Sequence, residues 1–418
     1  MAKAATAPRG ATVTMYDVGF GDSFLLTFEY SETDRRRILI DCGTSTKDDA
    51  QMMKVVEAIQ EDCAGHLDAV VVTHRHLDHL SAFGSKSAGS ILESLEPAVV
   101  VQPWTEHPDA TAEAGKAPSV YGEWSVSHLT ALATAQSYAE RLVQNPQALL
   151  AAAGSDTRRS VSHIASLAIH NKAAVERLAR MGRSHAYVNT GSESGLEGLL
   201  PGVTVTVLGP PTLEQSSTIK HQAKWDPDEM WKLHLSLAGR AAGNPLSQPG
   251  NSALFPSAGT TSVSRASSQV RWLTDKLDDV NLLNVRRLVE GIDDWVNNTS
   301  VILLFEFAGH ALLFPGDAQV ENWEFALGDA KLRKLLGGTT LYKVGHHGSR
   351  NATPQSLWKL FRKPSAEANR ITTLLSTQAK VHEGVPCESL ATALGNRTAL
   401  HSSTDLRKER KLRETYEC

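Results

Sequence analysis

The sequence predicts an α/β fold in which two similar layers face each other. Strand-like apolar runs with intervening helical stretches recur in 12–80 and in 300–380, and in both halves the strands end in polar clusters. With 418 residues, 41% hydrophobic and 21% charged, the chain falls among ordinary globular proteins, which excludes fibrous, coiled-coil and wholly disordered classes. Forty-two Lys and Arg against 46 Asp and Glu leave a formal net charge of −4, so no global field attracts a polyanion, although a local basic groove is compatible with that total.

Taken in order, Val13 to Val18, Ser23 to Phe28 and Ile38-Leu39-Ile40 are three short strands separated by Gly19, Gly21 and the charged turn 32–37. Met52, Met53, Val56 and Ile59 share one face of a helix over 48–61, and the apolar strand Ala69-Val70-Val71-Val72 then delivers the chain into Thr73-His74-Arg75-His76-Leu77-Asp78-His79. Ala-rich helix formers over 127–143 and 160–181 mark a helical insertion. Strand signal returns at 203–208 and stops at Gly209-Pro210-Pro211, and the Gly/Ser/Pro-rich stretch 236–268 is a projecting loop. A helix over 267–289, the strand pair 301–307 and 311–314, a helix over 322–336 and a strand over 340–344 follow, the strands leading to Pro315-Gly316-Asp317 and to Gly345-His346-His347-Gly348-Ser349. The units expected are thus 1–105 and 296–400 as the two halves of the fold, 106–200 as the helical insertion, 201–295 as a strand with loop and helix, and 401–418 as a charged, solvated tail. The N-terminus lacks an apolar leader and no window approaches the ~20 apolar residues of a membrane span, so a cytoplasmic, membrane-free protein is expected. Four scattered cysteines without a CxxC pair indicate neither a disulfide framework nor a thiolate zinc site.

His74, His76, Asp78 and His79 put four donors into six residues directly after an apolar strand. Each would need its own buried partner if it were structural, so the cluster calls for a cation, and imidazole with carboxylate but no thiolate suits Zn²⁺, Mn²⁺ or Fe.

With Asp41 upstream, Gly316-Asp317 and His346-His347-Gly348-Ser349 downstream, the HxHxDH motif at 74–79 resembles that of metallo-β-lactamase-fold hydrolases. Asp17-Val18-Gly19-Phe20-Gly21-Asp22-Ser23, Asn297-Asn298-Thr299-Ser300 and Lys343-Val344-Gly345-His346-His347-Gly348-Ser349 are most similar to the hydrolase domain of DNA-uptake competence proteins, which is expected here to stand alone. The resemblance covers about 12–105 and 200–385. It implies an αββα sandwich of two mixed sheets flanked by helices and two divalent ions, Zn²⁺ foremost and Mn²⁺ next. His74 and His76 would hold the first ion, Asp78, His79 and His346 the second, and Asp317 would bridge them. Asp41 would accept a hydrogen bond from a ligand imidazole. Where many relatives carry a third histidine for the first ion, Asn297-Asn298 stands here, so the first site is expected to bind weakly, with Asn298 near it, or to recruit His185, His221 or His234.

The chemistry implied is attack by hydroxide formed from metal-bound water, with Asp78 orienting it. His347 either donates to a substrate oxygen or packs with its nitrogens satisfied. Lys343 and Ser349 either stabilise charge on the leaving side or, for Lys343, form a solvated strand end. A phosphodiesterase or nuclease acting on nucleic acid or a small phosphodiester is the first reading. A hydrolase of a small ester, lactone or thioester is the second. The third is a partner-gated regulatory protein whose insertion binds another protein. Arg141, Arg158, Arg159, Lys172, Arg177, Arg180, Arg183, Tyr121, Trp124 and Tyr138 incline the insertion towards polyanions.

Overall fold

Side chains alternate across each strand, so every strand must satisfy two faces, and the chain meets this with four layers. The computed structural model describes residues 7–46, 48–108, 172–218, 226, 228–230, 296–363, 370–379, 381–382 and 384–418. The expected helices 127–143 and 267–289, the loop 236–268 and the first part of 160–181 lie outside these residues, as do His221, His234, Arg158 and Arg159.

The first sheet has seven strands: β1 (Gly10–Tyr16), β2 (Ser23–Glu29), β3 (Arg35–Cys42), β4 (Ala69–Val71), β5 (Val99–Pro103), β6 (Ser184–Val188) and β13 (Arg413–Glu417), in the order β13-β1-β2-β3-β4-β5-β6. The second has six: β7 (Thr204–Gly209), β8 (Ile302–Phe307), β9 (His310–Phe314), β10 (Leu341–Lys343), β11 (Thr372–Leu375) and β12 (Ala399–Ser402), in the order β12-β11-β10-β9-β8-β7. Both are mixed in the same way, an antiparallel meander continuing into parallel pairs from β3 in one and from β9 in the other. The two similar layers expected are therefore present.

Alternation assigns the faces. Phe24, Leu26, Phe28, Ile38 and Ile40 point between the sheets, where Phe28 meets Phe305 and Phe307 with ring centroids 6.0 and 5.3 Å apart. Leu25, Leu39, Val70 and Val100 point outward onto α1 (Asp49–Asp62), α2 (Leu77–Gly84), α3 (Lys86–Ser94) and α4 (Lys172–Arg180). On the far side Ile302, Leu304 and Leu313 pack on α5 (Val320–Gly328), α6 (Ala330–Leu336), α7 (Gln355–Leu360) and α8 (Glu388–Arg397). Among the described residues a ninth helix, α9 (Ser403–Lys408), is capped by the Ser402 hydroxyl.

Three expectations change. The end of the presumed insertion belongs to the first layer: α4 packs on α2, and β6 pairs in parallel with β5. The tail 401–418 folds: β13 pairs antiparallel with β1, and the hydroxyls of Thr14 and Thr415 meet at 2.8 Å. Only Tyr416 of that strand is buried, so its edge position left almost no apolar alternation to read. The single helix 322–336 is two, because the Asp329 carboxylate accepts from the amides of Lys331 and Leu332 and starts a new helix. Among the described residues no helix is long and apolar enough to cross a membrane.

Candidate metal centre

The site forms where β3 and β4 of the first sheet and β9 and β10 of the second end together. β4 runs through Val72 to Thr73, and the next residues carry His74 and His76 into the start of α2, of which His76 is the N-terminal flanking residue. Asp78 and His79 thus fall in the first helical turn, where unpaired amides and the helix dipole favour negative charge. Gly43 lets the end of β3 approach this turn, since a Cβ there would lie 2.5 Å from the Leu77 carbonyl oxygen. Arg75 points away from the donors and forms a two-pronged ion pair with Glu106, at 2.6 and 2.7 Å, that fastens the loop to the end of β5.

Asp41 sits beneath, at φ 57°. Its carboxylate accepts from the Thr73 amide and hydroxyl, each at 2.7 Å, and lies 2.8 Å from His79 Nδ1. With Nδ1 committed to Asp41, Nε2 of His79 faces Asp317 Oδ2 at 3.1 Å. Asp317 follows the turn after β9 and is positioned by its own amide, which donates to the Ser300 hydroxyl at 3.2 Å.

After β10, His346 and His347 adopt φ 43° and 51°, left-handed backbone that aims successive side chains apart. His347 is buried; its Nδ1 faces the Ser376 carbonyl at 3.1 Å, which can only accept, so Nδ1 carries the proton and Nε2 faces Asp78 Oδ2 at 3.1 Å and Asp317 Oδ2 at 3.4 Å. Asp78, His79, Asp317 and His347 each offer one donor atom, all within 4.8 Å of one another. His346, the ligand favoured from the sequence, falls outside this four-donor group: its Nε2 lies 4.0 Å from Asp317 Oδ2 and its side chain is 26% exposed, at the rim of the cluster. Adjacent histidines cannot be told apart by spacing, only by backbone twist.

The other expected site residues divide. His74 Nε2 and His76 Nδ1 meet at 3.0 Å, and the His74 ring lies 4.1 Å from that of His79, so this pair adjoins the four-donor group. Asn298 is buried and donates to Glu321 at 3.3 Å. Ser349 donates to Asn351 within its own loop at 2.8 Å. Lys343 is neither solvated nor turned to a substrate: it is 2% exposed and forms an ion pair with Asp22. His185 lies on the edge strand β6 opposite Val100, outside the four-donor group. Arg177 and Arg180 are committed to Glu93 at 3.0 Å each.

Asp22 is the residue that the sequence did not single out. It lies just before β2, fully buried, with Oδ2 3.7 Å from His79 Nδ1 and Oδ1 3.6 Å from His347 Nδ1, and with Asp41 and His79 it makes a second acidic group. Its only sequence signal was its place in the Asp17–Ser23 motif.

Electrostatics follows from this crowding. Burial disfavours charge on His347, but Asp317, Asp78 and Asp22 outweigh it and push its pKa up to about 10. His79 is raised for the same reason by Asp317 and Asp41, against its burial. Burial would raise Asp317, yet His79, His347 and His346 hold it well below the usual carboxylate range. His74, buried beside two other imidazoles, is pushed down and stays neutral, as a ligand must be. The donor set therefore fits a divalent cation: two carboxylates, two imidazoles with Nδ1 tied and Nε2 converging, and the His74 and His76 imidazoles adjoining.

Residues 16–113 match the family model of the metallo-beta-lactamase superfamily, a span that includes Asp22, Asp41 and the whole of 74–79. The two mixed sheets flanked by helices are consistent with the fold of that superfamily. A comparison with curated proteins found no match. Matched span, architecture and donor cluster together support a metal-dependent hydrolase in general and leave the substrate class open.

Proposed function

We propose that the protein hydrolyses phosphodiester bonds with one or two divalent ions, as a nuclease or a small-molecule phosphodiesterase. The observation that carries the metal-dependent step is the convergence of Asp78, His79, Asp317 and His347 on one point with their outward nitrogens tied off. A divalent cation held there lowers the pKa of water and polarises the bond under attack. Asp41 and the Ser376 carbonyl fix the tautomers of His79 and His347. Asp78, in the first turn of α2 and 15% exposed, is the carboxylate placed to orient a water and take its proton. His346, at the rim, would donate to a substrate oxygen. His74 and His76 are the candidates for holding a second ion.

The choice of phosphodiester rests on the motifs similar to competence-type hydrolase domains. Each of the three contributes to this centre: Asp22 from the first, Ser300 from the second, Lys343 and His347 from the third.

The test is hydrolysis of bis(p-nitrophenyl) phosphate and of single-stranded DNA and RNA by protein loaded with Zn²⁺ or Mn²⁺. Expected is metal-dependent cleavage that weakens steeply with salt on polynucleotides, as phosphate contacts release counterions. Inert phosphodiesters alongside rapid lactone or thioester cleavage would replace this reading. Inertness towards every class would favour a partner-gated role.

A further inference from the structure

Lys343, the last residue of β10, is the only buried lysine among the described residues. A buried ammonium costs several kcal/mol unless it is paired and hydrogen-bonded, so its three N–H groups need three partners. Three groups surround it: the Asp22 carboxylate in direct ion contact, the Gly316 carbonyl oxygen accepting at 3.1 Å and, beyond hydrogen-bond distance but within ion-pair range, Asp317 Oδ1 at 3.6 Å. Two of the three belong to the turn that carries Asp317. That carboxylate is thereby divided, with Oδ2 facing the Nε2 atoms of His79 and His347 and Oδ1 facing the ammonium. The torsion that orients a carboxylate is broad and two-fold, so backbone alone does not decide which oxygen faces a metal. Gly316 makes the turn possible, since at φ +55° a Cβ would lie 2.7 Å from Thr73.

We propose that Lys343 is a positioning residue of the metal centre: its ammonium, held by Asp22, fixes the Gly316-Asp317 turn and selects Oδ2 as the oxygen presented to the metal. Asp22 acts through Lys343 and is not itself a ligand. This rests on reading Asp78, His79, Asp317 and His347 as a metal site.

The test is Co²⁺ titration of metal-free protein, followed by calorimetry and by the d–d absorption bands, which report the coordination sphere independently of activity. In K343M, folded by circular dichroism, affinity should fall by about 10–100-fold, the range for partners that orient ligands, and the bands should change. D22N, which keeps the ammonium but removes its holder, should shift both readouts the same way by less. The D22N/K343M double variant should be no worse than K343M alone. A purely structural role would lower the melting temperature and leave the bands unchanged, and that result overturns the proposal, as do additive losses in the double variant. If K343M does not fold, D22N decides, and a wild-type spectrum and affinity there overturn it. Failure of the wild-type protein to take up Co²⁺ would overturn the metal reading beneath it; wild-type uptake with an unperturbed K343M overturns the role of Lys343 alone.

Discussion

The two halves of the centre are built by different means. On the first sheet, 74–79 is one continuous strand-to-helix passage, and none of these residues has a positive φ. On the second, Asp317 and His347 come singly from two strand ends, next to Gly316 at φ 55° and within a pair of histidines at φ 43° and 51°. Left-handed conformations of this kind cost of order 1–3 kcal/mol each in non-glycine residues and persist only where surrounding contacts over-determine them. The first half is thus supplied by secondary structure, whereas the second depends on tertiary contacts such as Ser300 to Asp317 and Ser376 to His347.

The comparison breaks first at the donors. His79→Ala and Asp317→Ala, one from each half, should both reduce hydrolysis to background and abolish the thermal stabilisation by added Zn²⁺, which for the parent is about 2.7 kcal/mol at a hundredfold excess over Kd. Near-normal turnover in either variant would show that the halves do not meet in one centre. Next, His347→Ala should lose far more metal affinity than His346→Ala in equilibrium dialysis. The reverse order would restore His346 as ligand and the buried His347 as a packing residue.

Asp41→Asn tests the first half alone. It keeps the shape but weakens the acceptor at His79 Nδ1, so metal affinity should fall by about 10–100-fold while the fold persists. The remaining test is a pH dependence. A histidine raised from 6.5 to about 10 contributes stability that is fully present below pH 6.5 and is lost as pH rises through 10. The melting temperature of metal-free protein should therefore decline across that window. The decline should shrink in His347→Ala and in metal-loaded protein, where the ligand nitrogen carries no proton; a decline of equal size in all three would assign it elsewhere.

What was legible in the sequence follows the same division. His74 to His79 could be read because four donors in six residues after an apolar strand exceed anything packing requires, whereas Asp317, alone an ordinary turn residue, was singled out only through the resemblance of the motifs around it. His346 and His347 were inseparable because their roles are set by backbone twist. Lys343 and Asp22 were misjudged or passed over because an ion pair 321 positions apart in sequence (343 − 22) leaves no local pattern. In the fold, strands with a buried face announced themselves by alternation. The edge strands β6 and β13 did not, since each keeps only one side chain fully buried.

The pairing of β13 with β1 sets an order of events in synthesis. Thr14 and Thr415 are separated by 401 residues, so at about 5–20 residues per second the outer edge of β1 waits roughly 20–80 s for its partner. Throughout that interval the nascent chain displays an unpaired strand edge, the feature that templates association between chains.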